Sequence, residues 1–296
     1  VDGAVVDTDL TGGNLTGGDM IARLLGRLGD SQPLPDPARL GRRMAALFAS
    51  WQRGPMPDLP ALAVALLRSN GIGTDGPLAQ TCVAAARAVA AWGGLPYHSA
   101  THHAEVATNA MVLIAIGDRL GQPVGRHGTA VLLAACLAHD VYYLPSVARE
   151  RFAAEHASAE ALDAIAADAG CDDADRQAIR ALVIATEPWL RLRPGGPLGA
   201  PLDPTAARLL RTPAVDPALA ALACILSDAD MMSSVGLTLG WYRVQQKRLE
   251  REAGHPYQAG EAEVFFREIV GPDFLSQPGR VLSANLAAIR RTVGAQ

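Results

Sequence analysis

The sequence predicts an all-α protein built around one principal domain. From about residue 37 onward apolar residues recur at helical spacing and alanine is abundant, while the period-two alternation of half-buried strands is missing. Gly- and Pro-rich punctuation breaks the chain at helix-length intervals. There is no βαβ alternation, no G-x-G-x-x-G, no G-x-x-x-x-G-K-[ST] phosphate loop and no internal repeat. With 296 residues, 49% of them hydrophobic, the chain is long enough to bury a sizeable core.

Residues 1–36 differ from the rest. "TGGNLTGGD" repeats Thr-Gly-Gly and "DSQPLPDPA" is proline-rich, so a loosely attached, low-complexity arm is expected, with "MIARLLGRL" as one short helix inside it. The domain then spans 37–296. Helices are expected over 37–52, 59–69 and 77–92, the last stopped by "GGLP". The next, 99–116, can be capped by Ser99 or Thr101 and ends at "GDRLGQPVG". Helices over 128–141, 147–168 and 174–187 lead to "RPGGPLGAP". After it come 216–233 and 235–253, stopped by "AGHP", then 259–270 before "GPDF", and 280–293.

Bulk properties exclude several functions. The formal net charge is −4, which leaves no basic footprint for nucleic acid and no polybasic patch for a membrane surface, so neither partner is expected. A small anionic substrate would need a local cation. The longest apolar runs, "AMVLIAIG" and "AVLLAACLA", fall short of the ~20 residues of a spanning helix, and nothing reads as a signal peptide. Cys82, Cys136, Cys171 and Cys224 form no C-x-x-C, so buried reduced thiols in a cytoplasmic protein are expected, not a disulfide framework or zinc ribbon.

The chemistry-bearing residues gather in three stretches. "PYHSATHHAEV" (96–106) holds three of the seven histidines. On a helix starting near Ser99, His102 and Glu105 share a face and His103 points about 100° away. His98 sits just before that helix, a place that suits a proton donor better than a fixed ligand. His139 and Asp140 close the apolar helix "TAVLLAACLAHD", and Asp228 and Asp230 interrupt "ACILSDADMMSSVG". A carboxylate is costly to bury unless it is paired or bound to a metal. Two apolar helices that both carry carboxylates therefore need a shared partner, and one or two divalent cations would serve. His and Asp together suit Zn, Mn or Fe, whereas Mg prefers oxygen ligands alone.

In this order, H-x-x-x-H, then His-Asp, then a late Ala-Asp, the chain resembles the HD superfamily of metal-dependent phosphohydrolases over roughly residues 95–235. "PYHSATHHAEV" is similar to the Tyr-His motif of the cyclic-nucleotide phosphodiesterases, and "LVIATEPW" to their "ATD" helix, with Glu187 in place of its Asp. The resemblance implies an HD-domain, phosphodiesterase-like helical bundle. It implies hydrolysis of a small phosphoester, a nucleotide or related phosphate, by metal-activated hydroxide. The cofactor would be one or two divalent ions (Zn, Mn, Fe, Ni or Mg). His102, His139, Asp140 and Asp230 would be the metal ligands, with Asp140 able to bridge two ions and Asp228 as the alternative to Asp230. His98 would be the general acid.

The pattern also departs from the phosphodiesterases. Where they follow the His-Asp pair with a second Asp and a His, this chain has Tyr142 and Tyr143. "HDVYYLP" and "EHASAE" are similar instead to a bacterial branch of HD phosphohydrolases with H-D-x-x-Y-x-P followed by E-x-x-S-A-E, matched by Glu155, Ser158 and Glu160. Glu155 then joins His98 and Asp140 in the catalytic set, orienting a metal-bound water, with His156 as an alternative. The Phe-Phe-x-Gln-Gly-Asp context of a purine-clamping glutamine is replaced by Phe265, Phe266, Arg267 and Glu268, so cyclic-nucleotide specificity is not implied.

Other conspicuous residues read as ordinary structure. His103 is expected to face solvent or support the ligands, and His127 and His255 to be loop residues. Trp189, Trp241 and Tyr242 read as core aromatics before pocket walls, and "QQKRLERE" as a solvated helix face. Two rival functions remain within the same fold. A di-iron oxygenase needs further histidines after the His-Asp pair, and only His156 stands between residues 141 and 254. A catalytically inactive module binding a nucleotide or protein usually lacks a ligand, and here all four positions are present.

Overall fold

A computed structural model describes residues 17–30, 34, 36–53, 58–143, 152–187, 217–257 and 260–294, and no strand occurs among them. In chain order the helices are α1 (Gly17–Asp30), α2 (Pro37–Arg53), α3 (Leu59–Ser69), α4 (Pro77–Trp92), α5 (Ala100–Arg119), α6 (Arg126–Ala138), α7 (Ala153–Asp168), α8 (Asp173–Ile184), α9 (Pro217–Met231), α10 (Leu239–Ala253), α11 (Glu261–Phe265), α12 (Gln277–Arg280) and α13 (Ser283–Gly294). A wide π-turn follows α9 at Met232–Gly236 and another follows α11 at Phe266–Val270. The all-α class expected from the sequence is what forms. The expected helix over 128–141 ends earlier, at Ala138, because His139–Tyr142 leave it in a turn. Residues 147–151 of the next expected helix lie outside the described residues.

The core follows from which helices are apolar all round. In α5 every residue from His102 to Ile114 is buried, and in α6 every residue from Thr129 to Ala138. Helices without a polar face must be enclosed by others. Helix α5 accordingly meets α1, α3, α6, α9 and the Met232–Gly236 turn, while α4 and α8 cover α6. The outer helices are amphipathic: α2 turns Leu40, Met44, Leu47, Phe48 and Trp51 inward at helical spacing.

Two expectations need correction. Residues 17–30 are not a loosely attached arm. Ile21, Leu24 and Leu28 recur three and four residues apart, are at most 4% exposed, and seat α1 on α3 and α5. Arg119 of α5 also donates to the Leu28 carbonyl at 2.9 Å. The flanking Gly and Pro runs dominate the composition of this segment, but one apolar stripe is enough to dock a helix. Residues 1–16, 31–33 and 35 lie outside the described residues. Second, Pro217–Gly236 is long and apolar enough, by length and composition, to cross a membrane. Its most apolar window is 78% buried inside the protein, as a core helix would be.

Three core helices converge at one place: α5 begins there, and α6 and α9 end there. The loop entering α5 is set by Gly93 and Gly94, at φ 81° and 66°. A Cβ on Gly94 would lie 2.7 Å from Ser99 Cα and 2.8 Å from the His98 carbonyl oxygen. The glycines let the loop close on itself, with Leu95 N–H donating to the His98 carbonyl at 2.7 Å. Ser99 then caps α5 by accepting from His102 N–H, which leaves His98 at the mouth of the helix.

Candidate metal centre and its cavity

His102 comes from the first turn of α5, His139 and Asp140 from the turn that ends α6, and Asp230 from the last turn of α9. The Nε2 atoms of His102 and His139 are 3.3 Å apart. Asp140 Oδ2 lies 3.6 Å from His102 Nε2 and 3.0 Å from His139 Nε2. Asp230 Oδ1 lies 3.3 and 3.8 Å from the same two nitrogens. Two donors each about 2.1 Å from one cation are separated by roughly 3.0 Å at a right angle and roughly 3.4 Å at the tetrahedral angle. The measured separations cluster around those values. His102, His139 and Asp140 thus form a buried group able to hold a metal ion, and Asp230 faces it from the third helix.

The electrostatics suit a cation. His139 Nδ1 lies 3.1 Å from the Cys136 carbonyl, which can only accept, so Nδ1 carries a hydrogen and Nε2 faces the cluster, where a cation would take its lone pair in place of a proton. Burial lowers the pKa of His102. Burial also opposes charge on His139, but Asp140 and Asp230 outweigh it and hold that pKa well above the usual imidazole range. Asp140, which burial would push up, is held well below the usual carboxylate range by His139 and by hydrogen bonds from both imidazoles. A metal bound there would compete with a proton for His139 Nε2.

His98 stands at the rim, with Nε2 3.8 Å from Asp140 Oδ2. Helix α10 fixes it. Glu252 Oε1 takes His98 Nδ1 at 2.5 Å, and Oε2 accepts the backbone N–H groups of Tyr97 and His98 at 2.9 and 3.1 Å. Burial works against charge on Glu252, but these donors outweigh it and depress its pKa. The same helix grips α5 further along, where Gln245 and Arg248 donate to buried Glu105 at 2.6 and 3.0 Å.

A cavity of about 270 Å³ opens over His98, Asp140 and Asp230. Glu155, Thr186 and Glu187 contribute to its polar lining; Met231, Leu249, Phe265 and Ile269 are apolar. Burial and then the neighbouring Glu187 push the Glu155 carboxyl up to about 8. Glu187 also accepts Phe152 N–H at 3.0 Å, which seats the start of α7. In the "EHASAE" stretch the roles separate: Glu155 lines the cavity, Ser158 Oγ donates to the Val141 carbonyl at 2.7 Å, and Glu160 is exposed.

The expected site residues His98, His102, His139, Asp140, Glu155 and Asp230 all border this one region. Asp228 does not: it is fully buried and accepts Leu275 and Ser276 N–H at 2.9 and 2.6 Å, holding the approach to α12. His156 is partly buried and is not among the residues lining the cavity. His103 does not face solvent. It is fully buried, with no hydrogen-bond partner for either ring nitrogen, and stands edge-on to the His139 ring at 5.0 Å. His127 is exposed and 3.0 Å from Asp175, and His255 contacts its own loop at the Pro256 carbonyl. Trp241 and Tyr242 are buried against Phe48 and Phe266, and Trp189 lies outside the described residues. Cys82, Cys136 and Cys171 are buried free thiols, and Cys224 is partly buried.

The "QQKRLERE" stretch, expected to be a solvated face, is not one along its whole length. Gln245, Arg248 and Glu252 all turn toward the site's support and not to water. Their spacing of three and four residues was a readable signal that they share a face; what that face meets was not.

No protein-family model matches the chain, and no curated protein matches it.

Proposed function

We propose that this chain is a metal-dependent phosphohydrolase of the HD type, acting on a small phosphoester such as a nucleotide or related phosphate. The observation that carries the reading is the meeting of two imidazoles and two carboxylates, donor atoms 3.0–3.8 Å apart, at the ends of three apolar core helices. Burying that set without a cation is expensive. A divalent cation there (Zn, Mn, Fe, Ni or Mg) would polarise phosphoryl oxygens and bring the pKa of a water to near neutrality.

The chain's own groups have separable tasks. His98, oriented through Nδ1 by Glu252, presents Nε2 to the cavity and protonates the departing alkoxide. Asp140, between His98 and His139, couples the acid to the ligand set. Glu155 orients the attacking water by hydrogen bonding. The apolar lining from Met231, Leu249, Phe265 and Ile269 excludes competing water.

A panel of phosphomonoesters and phosphodiesters, assayed with Mn, Mg, Ni and Zn added singly, tests the reading. Metal-dependent release of phosphate or of the alcohol supports it. Bound metal and bound nucleotide without turnover of any ester would instead identify a binding module.

A further inference from the structure

His98 is held on more than one side. Glu252 takes Nδ1, and the Tyr97 ring stands edge-on at 4.9 Å and 79°. The Tyr143 ring lies face to face with the imidazole, centroids 3.7 Å apart and planes 21° from parallel. That stack comes from the turn that follows the metal ligands. Tyr143 N–H donates to the Asp140 carbonyl at 3.0 Å, and Tyr142 sits at φ 65°. The left-handed region is costly for a residue with a Cβ. Tyr142 does not recover that cost by packing, since its side chain is among the exposed large hydrophobics at 47%. The turn is pinned from outside by Ser158 Oγ on the Val141 carbonyl. A strained, anchored turn whose product is one aromatic face over one imidazole is a device for setting that imidazole's plane.

We propose that Tyr143 is a positioning residue for His98, holding the ring so that Nε2 faces the leaving oxygen. The proposal rests on the reading of His98 as general acid. Its ring supplies the flat wall; its hydroxyl is not required.

The test uses leaving groups of different need. A 4-nitrophenolate departs without a proton, whereas an alkoxide requires one. Wild-type protein, Tyr143→Leu, Tyr143→Ala and Tyr143→Phe are compared on 4-nitrophenyl phosphate and 2-phenylethyl phosphate, with metal content measured for each. Tyr143→Leu and Tyr143→Ala should slow the alkyl ester by about 10–10²-fold, the scale of an ångström-sized misplacement. They should leave the aryl ester and the metal content nearly unchanged, and Tyr143→Phe should behave as wild type. The second arm needs no turnover. Proton NMR should show His98 ring signals shifted upfield by the stacked ring, assigned by their loss in His98→Ala. The shift should persist in Tyr143→Phe and vanish in Tyr143→Leu. Equal slowing of both esters, or His98 signals unmoved in Tyr143→Leu, overturns the proposal. If wild type cleaves no phosphoester, the phosphohydrolase reading fails, and the NMR arm still decides whether Tyr143 sets the ring.

Discussion

His98 Nδ1 lies 2.5 Å from Glu252 Oε1, although 154 residues of sequence separate the two. The other carboxylate oxygen also accepts two successive backbone N–H groups, those of Tyr97 and His98. Glu252→Gln keeps a similar shape but removes the carboxylate charge that faces His98 Nδ1. The variant should lose roughly 10–10²-fold in kcat, with KM and metal content nearly unchanged. Steady-state kinetics with parallel metal analysis check this; an unchanged kcat would remove Glu252 from the account.

His98 itself separates acid from ligand. His98→Ala should keep its metal and lose most turnover, by about 10²–10⁴-fold. The loss should be smaller for an aryl ester with a good leaving group. Loss of the metal from His98→Ala would show that the roles are misassigned.

Asp228 and Asp230 are two residues apart and should fail differently. Asp228→Ala removes an acceptor shared by Leu275 and Ser276 N–H in a buried place. It should cost roughly 2–4 kcal/mol of stability and spare metal binding. Asp230→Ala should weaken metal binding with little cost to the metal-free fold. Urea titration and metal analysis of both variants separate the cases; the reverse pattern would exchange their roles.

Glu105 gives a pH dependence away from the metal ligands. Burial raises its carboxyl to about 7, against the partial relief given by Arg248 and Gln245. The folded state therefore holds this proton more tightly than the unfolded chain. Its contribution to stability is fully present below the unfolded value and is lost as pH rises through the folded one. Chelator-treated protein should lose about 3 kcal/mol from this group between pH 4.5 and 7.5. Glu105→Gln should flatten that part of the profile in urea unfolding, and an unaltered profile would contradict the assignment.

Much of the site is readable because local rules govern it. A Ser99 cap places His98 before α5 and His102 inside it, and the His-Asp pair terminates an apolar helix that can hide no unpaired charge. Burial and spacing alone do not separate Asp230 from Asp228, since both sit on the same apolar helix; the late Ala-Asp of the resemblance names Asp230, and the partner of each distinguishes them. His103 shows the limit from the other side. Its helical phase away from His102 is as expected, but α5 is enclosed, so turning away from His102 brings it against the His139 ring and not into water. Glu252 is missed for the same reason. A helix face is a local property, whereas its neighbour is set by how α10 returns across the start of α5. In α1, the composition of its flanks outweighed a stripe of three apolar residues that proves sufficient to dock it.

The central claim is that His102, His139, Asp140 and Asp230 hold a divalent cation. Elemental analysis of the purified wild-type protein beside Asp140→Ala, both dialysed against the same trace-metal buffer, tests it most directly. The account predicts one or two equivalents of a divalent metal in the wild type and essentially none in a folded Asp140→Ala. No bound metal in the wild type after supplementation, or equal metal in both proteins, would contradict it.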